Sequence, residues 1–234
     1  LKGSLGLPIP SRLRPEEKQG EILREYLNIV RSFRQYLDKR GVNQRSKDED
    51  PERALKEFHS SILTCRGCSL YRTRTHLVFG RGNSGAKIML VGEAPGREED
   101  LEGRPFVGAA GKLLAQELAK AGLRDEDIYI ANVLKCRPPG NRDPLPEEIE
   151  ACLPYLKRQI EILHPRIICS LGKFATQVLL STQQGITSLR GKPQLYEEDI
   201  TIIPTLHPAA CIYNPSWEKL LLQDLRLLKT KLSE

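Results

Sequence analysis

Apolar and polar positions change period twice along the chain. Over residues 15–40 (PEEKQGEILREYLNIVRSFRQYLDKR) apolar side chains recur at Ile22, Leu23, Tyr26, Leu27, Val30, Phe33 and Leu37, the spacing of one helical face. Gly41 suits a C-cap for that helix, and GVNQRSKDEDPER after it reads as a polar linker. Residues 1–50 are therefore taken as a helical appendage and residues 51–234 as the functional domain. From about residue 85 short apolar runs alternate with longer amphipathic ones. KIMLVGE (87–93), DIYIANVLK (127–135), PRIICSLG (165–172) and ITIIPTLH (200–207) predict strands. Gly108–Ala121, Pro146–Leu163 and Lys173–Ser181 predict the helices between them, and Pro215–Leu232 a closing amphipathic helix. Pro146 followed by Glu147, Glu148 and Glu150 suits a helix N-terminus, and Pro154 predicts a kink near Cys152. Strand, helix, strand at this spacing implies βαβ crossovers: an α/β fold with a mostly parallel sheet covered on both faces.

In such a sheet, sites form where the strands end. Glu93, Asn132 and His207 each end a predicted strand. Two glycine-rich stretches look like phosphate loops and are not. Gly80–Gly85 has the GxGxxG spacing but precedes a strand instead of following one, and reads as a turn. Gly108-Ala-Ala-Gly-Lys112 lacks the Ser or Thr of a P-loop; it reads as a helix start whose amides could still hold a DNA phosphate.

Composition narrows the partners. Lys and Arg number 36 against 30 Asp and Glu, a net charge of +6, which permits an anionic partner without naming one. No apolar stretch approaches the ~20 residues of a membrane span and no signal-peptide core opens the sequence, so a cytoplasmic location is expected. In that setting six cysteines favour metal or packing roles over disulfides. Cys65-Arg-Gly-Cys68 is one pair, and Cys136 with Cys152 a second; together they make a four-thiolate site for zinc or an iron–sulfur cluster plausible. Cys169, mid-strand, reads as a small buried hydrophobe, and Cys211 as a loop thiol.

Five stretches in order, GEAPG (92–96), GRPFVG (103–108), NVLKCRPPGNRDP (132–144), HPRIICSLG (164–172) and HPAA (207–210), resemble the family 4 uracil-DNA glycosylases. These are the iron–sulfur-containing branch of the uracil-DNA glycosylase superfamily, and the resemblance runs from about Cys65 to the C-terminus. It implies a three-layer α/β/α sandwich with a four-stranded parallel sheet. It implies a [4Fe-4S] cluster on Cys65, Cys68, Cys136 and Cys152. The implied activity is base excision: a monomer that flips deoxyuridine out of single- or double-stranded DNA, hydrolyses its N-glycosidic bond, and leaves an abasic site.

The implied uracil pocket comprises Glu93, Ala94, Phe106, Asn132 and His207. Phe106 would stack on the flipped ring. The Asn132 amide would accept from uracil N3–H and donate to O4, and His207 would donate to O2, where negative charge builds as the bond breaks. Ala94 stands where relatives within the superfamily carry an aspartate, so Glu93 and Glu99 become the candidates for positioning water or stabilising the sugar cation. Ile212 or Tyr213 would be the wedge that fills the gap in the DNA. No lysine in these motifs is placed for a Schiff base, which implies a monofunctional enzyme. A non-catalytic nucleic-acid-binding module with a structural four-cysteine metal site is the competing reading. It would have no use for Glu93, Phe106, Asn132 and His207 together.

Overall fold

The four apolar runs form the parallel strands β2 (Ile88–Gly92), β3 (Ile128–Asn132), β4 (Ile167–Leu171) and β6 (Ile200–Thr205) in a computed structural model that describes residues 50–234 except Glu198. The helix read at 15–40 and the linker up to residue 49 lie outside the described residues. Every residue of β2, β3 and β4 is buried, as in a sheet covered on both faces. Alternation along β2 divides the two cores. Met89 and Val91 join one with Ile168, Ile202, Leu156 and Val178; Ile88 and Leu90 join the other with Leu114, Leu118, Leu221 and Leu225.

Among the described residues the sheet has six strands, not four. Short antiparallel edges flank the parallel centre: β1 (Arg81–Gly82) on β3 and β5 (Gln194–Glu197) on β6, giving the order β1-β3-β2-β4-β6-β5. Neither edge has an apolar run to announce it: β1 is two residues long, and Leu195 in β5 is 72% exposed. The GxGxxG glycines serve this edge. A Cβ on Gly82 would lie 2.3 Å from the Ile128 carbonyl oxygen, so only glycine lets β1 reach β3.

Eight α-helices complete the described chain: α1 (Pro51–Ile62), α2 (Arg97–Glu102), α3 (Ala109–Ala121), α4 (Pro146–Leu163), α5 (Gly172–Leu180), α6 (Ile186–Leu189), α7 (Pro208–Tyr213) and α8 (Glu218–Ser233). Helices α1, α4 and α5 cover one face of the sheet and α3 with α8 the other, which makes the three-layer sandwich. The last residues assigned to the linker are instead the start of α1: Asp50 Oδ1 caps it by accepting from the Glu52 N–H at 3.1 Å, with Pro51 in the first turn. Helix α4 runs through Pro154 as one element to Leu163. The segment after His207, expected to be a loop, is helix α7 with His207 at its N-cap, and Cys211 within it is fully buried, so it is not a loop thiol.

Candidate active site and four-cysteine centre

Parallel pairing sets Gly92, the last residue of β2, opposite Asn132, the last of β3. A Cβ on Gly92 would lie 2.4 Å from Asn132 Oδ1 and 2.7 Å from Phe106 Cζ, so both side chains close over the bare glycine. Phe106 is buried and held at φ +53, a left-handed conformation costly for an aromatic residue. Gly111, in the first turn of α3, allows that conformation: a Cβ there would fall 2.0 Å from the Phe106 carbonyl oxygen. His207 follows the end of β6 and brings its ring 5.8 Å from that of Phe106, tilted by 31°. Gly172 at the start of α5 passes so close that its Cβ would meet His207 Cβ at 2.8 Å. Three strand ends and one loop thus bring Gly92, Phe106, Asn132 and His207 together.

The polar atoms here are poised for a ligand. Asn132 is 2% exposed, and among the described residues its Oδ1 is the sole buried side-chain nitrogen or oxygen with no hydrogen-bond partner. Leaving a buried acceptor unpaired is costly, so such an atom marks where a donor is meant to arrive. His207 Nδ1 accepts the Ala209 N–H at 3.1 Å, which places the ring proton on Nε2. Burial lowers the His207 pKa to about 4 against the opposing pull of Glu99, so at neutral pH the ring is an uncharged N–H donor.

Cys65 and Cys68 follow α1, Cys136 lies four residues beyond β3, and Cys152 lies in α4; all four line one cavity. None of the four forms a disulfide. Donors are aimed at the sulfurs: the Lys135 backbone N–H at Cys152 Sγ (3.2 Å), Arg74 Nη1 at Cys136 Sγ (3.2 Å) and the Gly67 N–H at Cys65 Sγ (3.4 Å). Tyr155 Oη also lies 3.2 Å from Cys65 Sγ. Burial raises the pKa of Cys68 and Cys136 and pushes Cys152 up to about 12, so a bound cation is what would make thiolates of them. Among the described residues no three His, Cys, Asp or Glu side chains are arranged to hold a single ion. Cys169 and Cys211 pack in the core on the α3–α8 face.

Residues 79–226 match the Uracil DNA glycosylase superfamily. The type-4 uracil-DNA glycosylase of Sulfurisphaera tokodaii is 46% identical over 184 residues, 75% of this chain and 84% of that protein. Its counterpart in Archaeoglobus fulgidus is 51% identical over 169 residues, 69% of this chain and 85% of that protein. The chain belongs to the type-4 uracil-DNA glycosylases. A third member of the group, from Thermotoga maritima, is 42% identical over 182 residues, 76% of this chain and 95% of its own. Every pocket residue of this type-4 uracil-DNA glycosylase falls inside the superfamily match, whereas Cys65 and Cys68 precede it.

The acidic stretch after β2 divides into distinct tasks in this glycosylase. Glu99 accepts three backbone N–H groups, from Gly96 (3.1 Å), Val107 (3.0 Å) and Gly108 (2.9 Å), and so ties α2 to the start of α3. Of the Gly108–Lys112 amides that could hold a phosphate, that carboxylate takes the Gly108 N–H. Asp100 is buried and accepts the Thr75 N–H at 2.9 Å. Glu93 differs: it is half-buried, and no described residue hydrogen-bonds its carboxylate. Burial first, then the negative charge of Asp143, raise its pKa to about 7, with Lys173 pulling the other way. Ala94 beside it packs partly buried against the α1–α4 core. Sequence reasoning passed over Lys135, which is 0% exposed and donates from Nζ to the Asn132 carbonyl oxygen at 2.7 Å. A lysine closing an apolar run reads as the solvated end of a strand, and nothing local marks it otherwise.

Proposed function

We propose that the protein excises uracil from DNA, hydrolysing the N-glycosidic bond of a deoxyuridine rotated out of the helix and leaving an abasic site in an unbroken strand. The observation that carries this reading is the unpartnered, buried Asn132 Oδ1 lying over Gly92 beside Phe106. Uracil supplies an N3–H for that oxygen and an O4 for the amide N–H. Cytosine offers an acceptor and a donor at the same two places, so both contacts would be mismatched. A pocket of buried polar groups rejects a mismatched base by leaving those groups unpaired. Otherwise identical oligonucleotides carrying dU or dC test the reading: free base should come from dU alone. Equal release from both would overturn it.

In the proposed step the C1′–N1 bond breaks and its electron pair leaves on uracil, whose O2 shares the charge. His207 Nε2–H stabilises that oxygen with no proton transfer, as a fixed dipole in a buried site. Water adds its oxygen to C1′ of the sugar cation, and its proton passes to Glu93. Of the two candidate carboxylates we assign this role to Glu93. Glu99 is committed to three backbone amides and acts through its field on His207. Because the Glu93 pKa is raised to about 7, its active carboxylate form accumulates above that pH and is lost below it. The single-turnover rate should therefore rise with pH through about 7. Glu93→Gln should flatten that limb and slow release by about 10²-fold. Parallel profiles for the two proteins would remove Glu93 from this role.

We further propose that Cys65, Cys68, Cys136 and Cys152 hold a [4Fe-4S] cluster. Four thiols lining one cavity, with N–H donors directed at the sulfurs of Cys65, Cys136 and Cys152, support a shared thiolate-held group there. Its contribution would be structural, cross-linking the end of α1, the loop after β3 and α4. Purified protein should be brown, with iron and sulfide each at about four per chain. A colourless protein with one zinc would contradict the assignment.

The enzyme would act as a monomer in the cytoplasm, on single- or double-stranded DNA. Tyr213, 85% exposed at the end of the helix that His207 begins, is better placed as the wedge than Ile212, at 43%. Among the described residues no helix is long and apolar enough to cross a membrane.

A further inference from the structure

Lys135 is the sole buried lysine among the described residues, and it joins the two sites. Its backbone N–H donates to Cys152 Sγ and its sequence neighbour is Cys136, while its Nζ turns back to the Asn132 carbonyl oxygen at 2.7 Å. The second acceptor for Nζ is Gln159 Oε1 at 2.6 Å. Gln159 is itself 0% exposed and anchored through its Nε2 to the Phe79 carbonyl oxygen at 3.0 Å and to Tyr129 Oη at 3.4 Å. Among the described residues no carboxylate pairs with Lys135, and the groups that act on its charge are Cys152 and Cys136. An ammonium buried without a carboxylate is a poor device for stability, since an apolar side chain of similar volume would pack there without the desolvation cost.

Its geometry suggests what it does instead. Asn132 sits where β3 ends, and the peptide that follows it is gripped at both ends. Its N–H, from Val133, donates to the Gly92 carbonyl at 2.9 Å; its carbonyl, from Asn132, takes Lys135 Nζ. Fixing that peptide plane fixes the direction in which the Asn132 side chain leaves the backbone. A misaimed amide would miss uracil, because both of its hydrogen bonds depend on angle. Two N–H donors are all the arrangement uses, and a lysine nitrogen supplies them in either protonation state.

We propose that Lys135 is the positioning residue for base recognition, aiming Asn132 from the cysteine-bearing loop. The proposal rests on the reading of Asn132 given under Proposed function. A double-mutant cycle on full-length, metal-loaded protein tests it, with single-turnover uracil release and affinity for uracil-free duplex both measured. Lys135→Met should slow release at least tenfold with unchanged affinity for the uracil-free duplex and unchanged iron content. In an Asn132→Ala background the same substitution should cost nothing further, because its target is gone. Should Lys135→Met fail to purify folded, Lys135→Gln takes its place. Its polar end can still meet Gln159 but falls short of the Asn132 carbonyl, and the same cycle is expected. A full additional loss in the Asn132→Ala background, or a loss that tracks iron content, would overturn the positioning role alone. An Asn132→Ala protein as fast as wild type would overturn the reading of Asn132 and this proposal with it.

Discussion

Replacing Asn132 with alanine slows single-turnover release of uracil by on the order of 10³-fold, while affinity for undamaged duplex stays within about threefold. The two effects should separate because the amide is 2% exposed and, on the proposed reading, meets DNA only through a base that has entered the pocket. Stability gives an independent check. A satisfied structural asparagine would leave its partners orphaned on truncation, whereas here the substitution removes an acceptor that had none. The melting temperature should therefore hold or rise. Equal losses of release, DNA affinity and stability would identify a structural residue.

His207→Asn is expected to slow release by about 10²–10³-fold, the usual cost of removing one preorganised donor at a developing oxyanion. Asparagine is chosen because it is itself a good N-cap, so α7 keeps its first-turn partner while the Nε2–H is lost. With its pKa lowered to about 4, the wild-type imidazole stays neutral from pH 5 to pH 9 and carries its proton on Nε2. Acid would have to protonate Nδ1, which already accepts the Ala209 N–H. Nitrogen chemical shifts of the ring check this directly; an imidazolium at pH 6.5 would contradict a neutral electrophile.

The central sheet was legible because burial on both faces demands unbroken apolar runs, and IMLVG, IYIAN, IICSL and the Ile200–Thr205 run have few other uses. What escaped was whatever depends on neighbours distant in sequence. Strand β1 exists because Gly82 can approach Ile128, whereas β5 pairs locally with β6 and escaped because its short, exposed run carries no apolar pattern. Helix α7, bracketed by Pro208 and Pro215, looks like a loop until Cys211 is seen buried against the core. At the site, strand ends pointed to Asn132 and His207 on topology alone. Phe106 lies in a loop and was reachable only through its motif. The three backbone amides that occupy Glu99 come partly from eight and nine residues away, so its role as a clasp could not be read locally. Lys135 was hidden because Gln159, the side chain that meets its Nζ, lies twenty-four residues off.

The acids after β2 divide between the protein's own backbone and the site. Glu99 and Asp100 bind backbone amides of the protein's own loops, Glu98 and Glu102 are exposed, and Glu93 is the carboxylate proposed for the chemistry. A carboxylate kept half-buried and unpaired at the end of β2 suits a transient positive sugar better than it suits stability.

The most direct measurement is incubation of folded, cluster-loaded protein with an oligonucleotide carrying one deoxyuridine. Both the released base and the fate of the strand are followed. The account predicts free uracil in step with an abasic site that stays unbroken until alkali is added. No uracil released by such protein, or a strand cleaved without alkali, would contradict hydrolytic excision at this site.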